Sequence, residues 1–190
     1  MTNVTVIGTG NMGAAIAGLL AKGGADIAHV NTSSPAPAQW GDIVVLAVPY
    51  SALPQVVSDY GPELHGKILV DITNPVDFEP FGRIIPSAGS AAEELAAGLP
   101  GSRVIKAFNT NFAATLASSM IGTDTPTVLL AGDDAEAKLA LAGLISAGGV
   151  VTIDAGPLVR AQELESLAFL QIALALGESI PWTGGFSLVR

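Results

Sequence analysis

The chain has 190 residues, of which 49% are hydrophobic and 13% charged, enough apolar material for one domain or one domain with a small appendage. Its formal net charge of −9 and its eight scattered basic residues argue against a nucleic acid or an anionic membrane as partner. The absence of cysteine excludes disulfides, thiolate nucleophiles and cysteine–metal sites.

In chain order, Val4-Thr5-Val6-Ile7 is a β-branched run that reads as a buried strand. Residues 11–21, rich in alanine and leucine, read as a helix stopped by Lys22-Gly23-Gly24. A second strand is expected at 27–30. Further apolar runs at 43–48, 67–72, 103–108, 127–131 and 150–153 read as strands. Helices are expected at 53–60, 90–97, 112–120 and 133–147, and a last one at 158–176 precedes a tail with Trp182 and Phe186. Strands alternating with helices predict a doubly wound, Rossmann-type parallel sheet with a C-terminal helix. The expected division is a dinucleotide-binding domain at 1–155, and a helix and tail at 156–190 that pack on it.

The segment 31–41 is unusual, because Pro35 and Pro37 rule out the usual crossover helix there. About eleven extended residues still reach roughly 36 Å, enough to recross a sheet. One helix and one strand of the usual plan are therefore expected to be missing after the second strand, which would become a sheet edge.

Gly8-Thr9-Gly10-Asn11-Met12-Gly13 is a G-x-G-x-x-G motif that directly follows a predicted strand and opens a predicted helix. Gly8 allows a tight turn, Gly10 lets a pyrophosphate approach the backbone, and Gly13 lets helix pack on strand. The helix N-terminus supplies N–H donors and partial positive charge. Sites that bind NAD commonly carry an acid after the second strand. Here that place holds Asn31, Thr32, Ser33 and Ser34, and Asp26 lies at the strand's other end. No carboxylate would repel a 2′-phosphate, so NADP(H) is the expected cofactor, with a solvated polar turn as the alternative reading of these residues.

His29 and His65 stand far apart and in no ligand spacing, so no metal is expected. Residues 1–21 carry no charge, but Gly-Thr-Gly-Asn breaks their apolar run, and 166–177 is too short to span a bilayer. A cytoplasmic location is the expectation. The broad apolar stripe on the last helix (Leu164, Leu167, Ala168, Phe169, Ile172, Ala175, Leu176) suggests packing on the chain and a homodimer interface.

The sequence resembles the NADP-dependent deazaflavin (coenzyme F-420) oxidoreductase family and the cytosolic domain of the six-transmembrane ferric reductases. The matching stretches are 6–13, Val44-Val45-Leu46-Ala47-Val48-Pro49, Asp71-Ile72-Thr73-Asn74-Pro75, Ser90-Ala91-Ala92-Glu93-Glu94-Leu95, Val104-Ile105-Lys106-Ala107-Phe108-Asn109-Thr110, Asp154-Ala155-Gly156-Pro157-Leu158 and Gly185-Phe186. The resemblance implies hydride transfer between NADP(H) and a flavin or deazaflavin. It places Thr9, Asn31 and Thr32 toward the 2′-phosphate, and Ala47, Val48 and Pro49 along the ribose and nicotinamide. Asn74, Pro75, Phe108, Asn109 and Thr110 would frame the nicotinamide and the second ring. Thr32 stands where the family commonly has arginine, and Asn109 where deazaflavin enzymes often have histidine.

Asn109 reads either as an orienting hydrogen-bond donor, the best catalytic candidate, or as a cap for the helix near Phe112. Arg83 and Lys106 read either as partners for an anionic group of the second cofactor or as surface and strand-end charges. Two rival functions share the cofactor site. Reduction of a small carbonyl or imine would need an ionisable donor beside the nicotinamide, and a non-catalytic NADP(H) sensor or scaffold would show a closed nicotinamide pocket.

Overall fold

The computed structural model describes residues 2–31 and 37–188. A seven-stranded sheet runs β2-β1-β3-β4-β7-β8-β9. Its strands are β1 (Asn3–Ile7), β2 (Asp26–Val30), β3 (Ile43–Leu46), β4 (Ile68–Asp71), β7 (Arg103–Lys106), β8 (Thr127–Gly132) and β9 (Val151–Gly156). A separate hairpin is formed by β5 (Val76–Phe78) and β6 (Phe81–Arg83). The helices are α1 (Asn11–Lys22), α2 (Leu53–Leu64), α3 (Ala91–Gly98), α4 (Ala113–Ser118), α5 (Ala135–Ala147) and α6 (Ala161–Leu176).

The predicted parallel sheet holds from β2 through β7. β8 departs from it by pairing antiparallel with β7, and β9 runs parallel to β8, so these two strands are reversed. A buried apolar run has the same composition whichever way it points, and so carries no sign of direction. The β5–β6 hairpin was not expected either, since strands of three residues are too short to show an alternation.

Both faces of the sheet's centre are covered, which is why β3 and β4 are buried along their whole length, whereas the outer β2 and β9 are largely exposed or half-buried. Along β3, Ile43 and Val45 pack with α1 and α5, while Val44 and Leu46 pack with α2 and α3. Local chemistry sets the helix starts. The Ser90 hydroxyl accepts from Glu93 N–H at 3.1 Å and caps α3, and the Asp134 carboxylate accepts from Ala137 N–H at 2.8 Å and caps α5.

β2 is an edge of the sheet. The helix and strand expected to be missing after it would fall at 31–41, where residues 32–36 lie outside the described ones. Trp40 is buried beyond that segment, against Tyr60 at 5.1 Å between ring centres. The last predicted helix begins as a single 3-10 turn, Leu158–Arg160, and continues as α6. Leu164, Ala168 and Ala175 of its stripe are buried, while Leu176 of the stripe, and Leu170 outside it, are half exposed. Among the described residues, no helix is long and apolar enough to cross a membrane.

Candidate functional site

The three glycines of the motif have three different surroundings. A Cβ on Gly8, whose φ is +109°, would collide with the Ala47 carbonyl, and one on Gly13 would collide with the carbonyl of Gly8. Those two positions are closed by the protein itself. A Cβ on Gly10 would meet nothing within 4 Å, and its backbone is extended (φ −71°, ψ 179°), a conformation open to any residue. The fold does not require glycine at Gly10, and the empty space there is what an approaching pyrophosphate needs. No side chain caps α1 and no acid lies in its first turn. Its first N–H groups are therefore not taken by a side-chain cap.

The flanking segments converge on this loop. Gly8 N–H donates to the Val30 carbonyl at 2.8 Å, which brings Asn31 beside the loop, and Ala47 N–H donates to the Ile7 carbonyl at 2.8 Å. Thr9 is exposed and Asn31 half-buried, whereas Thr32 and Ser33 lie outside the described residues. Pro49 is exposed just beyond Ala47 and Val48.

At the carboxyl ends of β4 and β7 the predicted Asn74 and Asn109 meet. Asn74 Nδ2 donates to the Asn109 backbone carbonyl at 3.0 Å, and Asn109 Nδ2 donates to Asn74 Oδ1 at 3.0 Å. The backbone carbonyl only accepts, so it fixes the Asn74 amide, which in turn fixes that of Asn109. Asn109 Oδ1 is left buried with no hydrogen-bond partner among the described residues. Asn109 does not cap α4, whose N-cap is Phe112. Phe108 before it is fully buried with φ +62°, a left-handed conformation uncommon for a bulky side chain. It belongs to the core, as Pro75 and Thr110 belong to the buried shell beneath the site.

A cavity of about 420 Å³ opens in front of this pair, within the usual range for small-molecule sites. Asn11 and Met12 line it from the glycine loop, Asn74 and Asn109 from the strand ends, and Gln171 and Trp182 from α6 and the tail. No charged side chain lines it among the described residues. A second cavity of about 430 Å³ lies beside Pro49, Tyr50 and Ile84, and Asn74 and Phe78 line both.

Lys106 corrects an expectation. It is fully buried and reaches no ligand space, and its Nζ donates to Asp71 Oδ2 at 2.8 Å, Glu165 Oε1 at 2.7 Å and the Thr73 carbonyl at 2.5 Å. A lysine inside an apolar strand must find buried acceptors, and α6 supplies one of them. Burial pushes the Glu165 carboxyl above its ordinary range, and the pull of Lys106 in the other direction does not offset this. Arg83, the other basic candidate, is exposed on β6.

Sequence reasoning missed Asn111, Gln171 and Trp182 at the cavity. Gln171 had a usable signal, a single amide between Leu170 and Ile172 on an apolar helix. Asn111 had a weaker one, its Asn-x-Asn spacing from Asn109. Trp182 stands in a tail without periodicity.

Comparison with known proteins identifies the family. The chain is 32% identical over 152 residues to an F420-dependent NADP reductase of Methanocaldococcus jannaschii, covering 77% of this chain and 68% of that protein. The chain belongs to the coenzyme F420-dependent NADP oxidoreductase family. The family model described as "NADP oxidoreductase coenzyme F420-dependent" matches residues 32–75. A rat metalloreductase is 36% identical over 105 residues, which is 55% of this chain and 20% of that protein. In structure, a candidate F420-dependent NADP reductase from an Arthrobacter species superposes with a TM-score of 0.86 at 25% identity, covering 100% of both chains. The glycine loop, the Ala47–Pro49 turn and the Asn74–Asn109 pair thus sit in a family fold at the carboxyl ends of the strands, where open α/β sheets bind ligands.

Proposed function

We propose that this chain is an NADP(H)-dependent oxidoreductase that passes hydride between nicotinamide and a deazaflavin or flavin ring. The observation that carries this reading is a pair of similar cavities that meet at Asn74 beside an open pyrophosphate loop. When bound, the two ring systems supply the redox chemistry themselves, one giving and the other taking a hydride. The chain's part is to hold the phosphates on Gly8–Gly13, to face the 2′-phosphate with Asn31, Thr32 and Ser33, and to order the rings across Asn74 and Asn109. Asn109 acts there as an orienting group.

The carbonyl or imine alternative needs a proton donor beside the nicotinamide. Two ionisable side chains line the second cavity: Asp77, whose carboxylate accepts from Glu79 N–H at 3.0 Å, and Tyr50. The Tyr50 hydroxyl donates to Glu94 Oε2 at 2.7 Å, and burial, reinforced by that bond, pushes its pKa up to about 12. Such a group gives up its proton poorly at neutral pH. A hydride transfer between rings draws its single proton from water, and the uncharged cavity suits that reaction better. Two cavities of ring size also fit turnover better than a closed sensor pocket.

The same proposal includes a cofactor-binding unit at 1–155, completed by an appendage at 156–190, and a cytoplasmic location. It also includes a homodimer through α6, supported by the half-exposed Leu170 and Leu176; sedimentation as a monomer at micromolar concentration would refute the dimer. The deciding experiment for function is a turnover screen of NADPH against oxidised deazaflavin F420, FMN, FAD and ferric chelates. Fastest turnover is expected with F420, and no oxidation of NADPH by any ring acceptor would sink the reading. Calorimetry should show NADP(H) binding more tightly than NAD(H), and the reverse order would overturn the cofactor choice.

A further inference from the structure

One wall of the uncharged cavity comes from the tail beyond α6. The chain turns at Glu178 (φ +57°), and the tail is tied back to the helix by Ser179 N–H donating to the Leu174 carbonyl at 2.8 Å. Phe186 N–H donates to Gln171 Oε1 at 3.4 Å. Between these ties Trp182 packs on Phe112, with ring centres 4.8 Å apart and planes tilted by 53°. Phe112 is buried by this contact, yet Trp182 remains 49% exposed while lining the cavity. Its indole is fixed at one side and open at the other, which is the geometry of a stacking face.

A second observation comes from the strand end of the cavity. Asn111 Nδ2 donates to the Thr127 carbonyl at 3.1 Å, which turns its Oδ1 away, and that oxygen has no partner among the described residues. Asn109 Oδ1 is in the same condition. The cavity therefore combines an aromatic face, two unsatisfied carboxamide acceptors and no charge. Among the described residues no charged side chain there would pair with a phosphate or carboxylate. A neutral planar heteroaromatic ring with N–H groups on its edge finds both the face and the acceptors.

We propose that Trp182 is the platform on which the ring of the hydride acceptor stacks, with Asn109 and Asn111 taking N–H groups at that ring's edge. This rests on the hydride-transfer reading and adds to it the residue that selects a flat aromatic acceptor. The nicotinamide then occupies the neighbouring cavity beside Pro49.

The test uses Trp182→Ala and Trp182→Phe in the full chain, with far-UV circular dichroism to establish that each is folded. With NADPH and oxidised F420, Trp182→Ala should raise KM for the acceptor about tenfold, leaving KM for NADPH and kcat nearly unchanged. Trp182→Phe, which keeps an aromatic face, should restore most of the loss. Titration of the wild type with oxidised F420 should quench tryptophan emission. The quench should vanish in Trp182→Phe, where the buried Trp40 still reports. An unchanged acceptor KM in a folded Trp182→Ala that turns over would overturn the proposal and leave the functional reading standing. Quenching by NADP⁺ alone, with none from F420, would assign the cavity to the nicotinamide and also overturn it. If the wild type shows no turnover, the functional reading fails, and the F420 quench by itself decides for or against the Trp182 platform.

Discussion

Two clusters of polar side chains sit three residues apart along the chain at the ends of β4 and β7, and they are built on different plans. Behind Thr73 lies the buried group of Asp71, Lys106 and Glu165. In front of it lies the amide group of Asn74, Asn109 and Asn111. In the rear cluster all three donors of the ammonium are spent on acceptors at 2.8 Å or less. Asp71 Oδ1 also accepts from Thr73 N–H at 2.9 Å, and Glu165 Oε1 accepts from Ala91 N–H at 3.0 Å. In the front cluster the amide nitrogens of Asn109 and Asn111 are engaged while their oxygens lack partners among the described residues. The rear group pairs its charges within the protein, leaving Glu165 Oε2 without a hydrogen-bond partner among the described residues, and joins β4, β7, α3 and α6 into one block away from the cavity. The front group leaves acceptors that only a ligand or water would satisfy. The first is suited to holding the fold and the second to holding something that comes and goes.

The most damaging way to break this comparison is Lys106→Met. Two carboxyl groups would then be buried without their cation, a loss on the order of 3–5 kcal/mol. Chemical denaturation should show that loss, and a change below about 1 kcal/mol would mean that the rear group does not hold the fold. Gly10→Val tests the opposite case. Nothing lies within 4 Å of the added Cβ, so the denaturation midpoint should barely move. NADP(H) affinity should fall by about a hundredfold or more, because the side chain occupies the pyrophosphate's place. Unchanged affinity in the folded variant would put the phosphates elsewhere. Asn109→Leu has a smaller expected effect. It removes an unsatisfied acceptor together with the donor to the half-buried Asn74 Oδ1, so stability should fall by about 1 kcal/mol, while kcat/KM falls about tenfold. A larger loss of stability without loss of turnover would place Asn109 with the rear group.

These two clusters were not equally legible in the sequence. The glycine loop could be read because its mechanics are local: a strand, a turn and a helix start within a few residues. Asn74 and Asn109 were reachable through their place after apolar strands and through family likeness, but their pairing spans 35 residues. Lys106 was open to two readings, a cofactor partner or a surface or strand-end charge, and neither gave it the buried acceptors that its place in an apolar strand requires. That the acceptor is Glu165, 59 residues away on α6, is a fact of packing. The reversal of β8 and β9 left no local trace, because direction follows from the connection and not from the strand. Trp182 was visible as a residue but lacked any pattern to give it a role.

The smallest predicted effect separates the two plans by pH. Burial raises the pKa of Glu165 above its ordinary value of 4.5, so the folded protein takes up this proton more readily than the unfolded chain. The associated stability is fully present below the unfolded value and is lost as pH rises through the higher folded value. Glu165→Gln keeps an oxygen for Lys106 and Ala91 and cannot ionise. The variant should therefore gain stability relative to the wild type as pH rises from about 4.5 toward neutrality. Three other carboxyl groups slope the other way, among them the exposed Glu163, held low by its own backbone N–H and by Arg160. Against the push of burial, hydrogen bonds from Tyr50 and Ser87 hold Glu94 low, and Lys138 and Gly156 N–H hold Asp154 low. Their stability is lost as pH falls, in both proteins alike, so it cancels when the variant is compared with the wild type. Urea midpoints measured for both across the acid-to-neutral range give that difference directly. A difference that stays flat, or that narrows with rising pH, would show that Glu165 is ionised throughout and that Lys106 offsets the full cost of burying it.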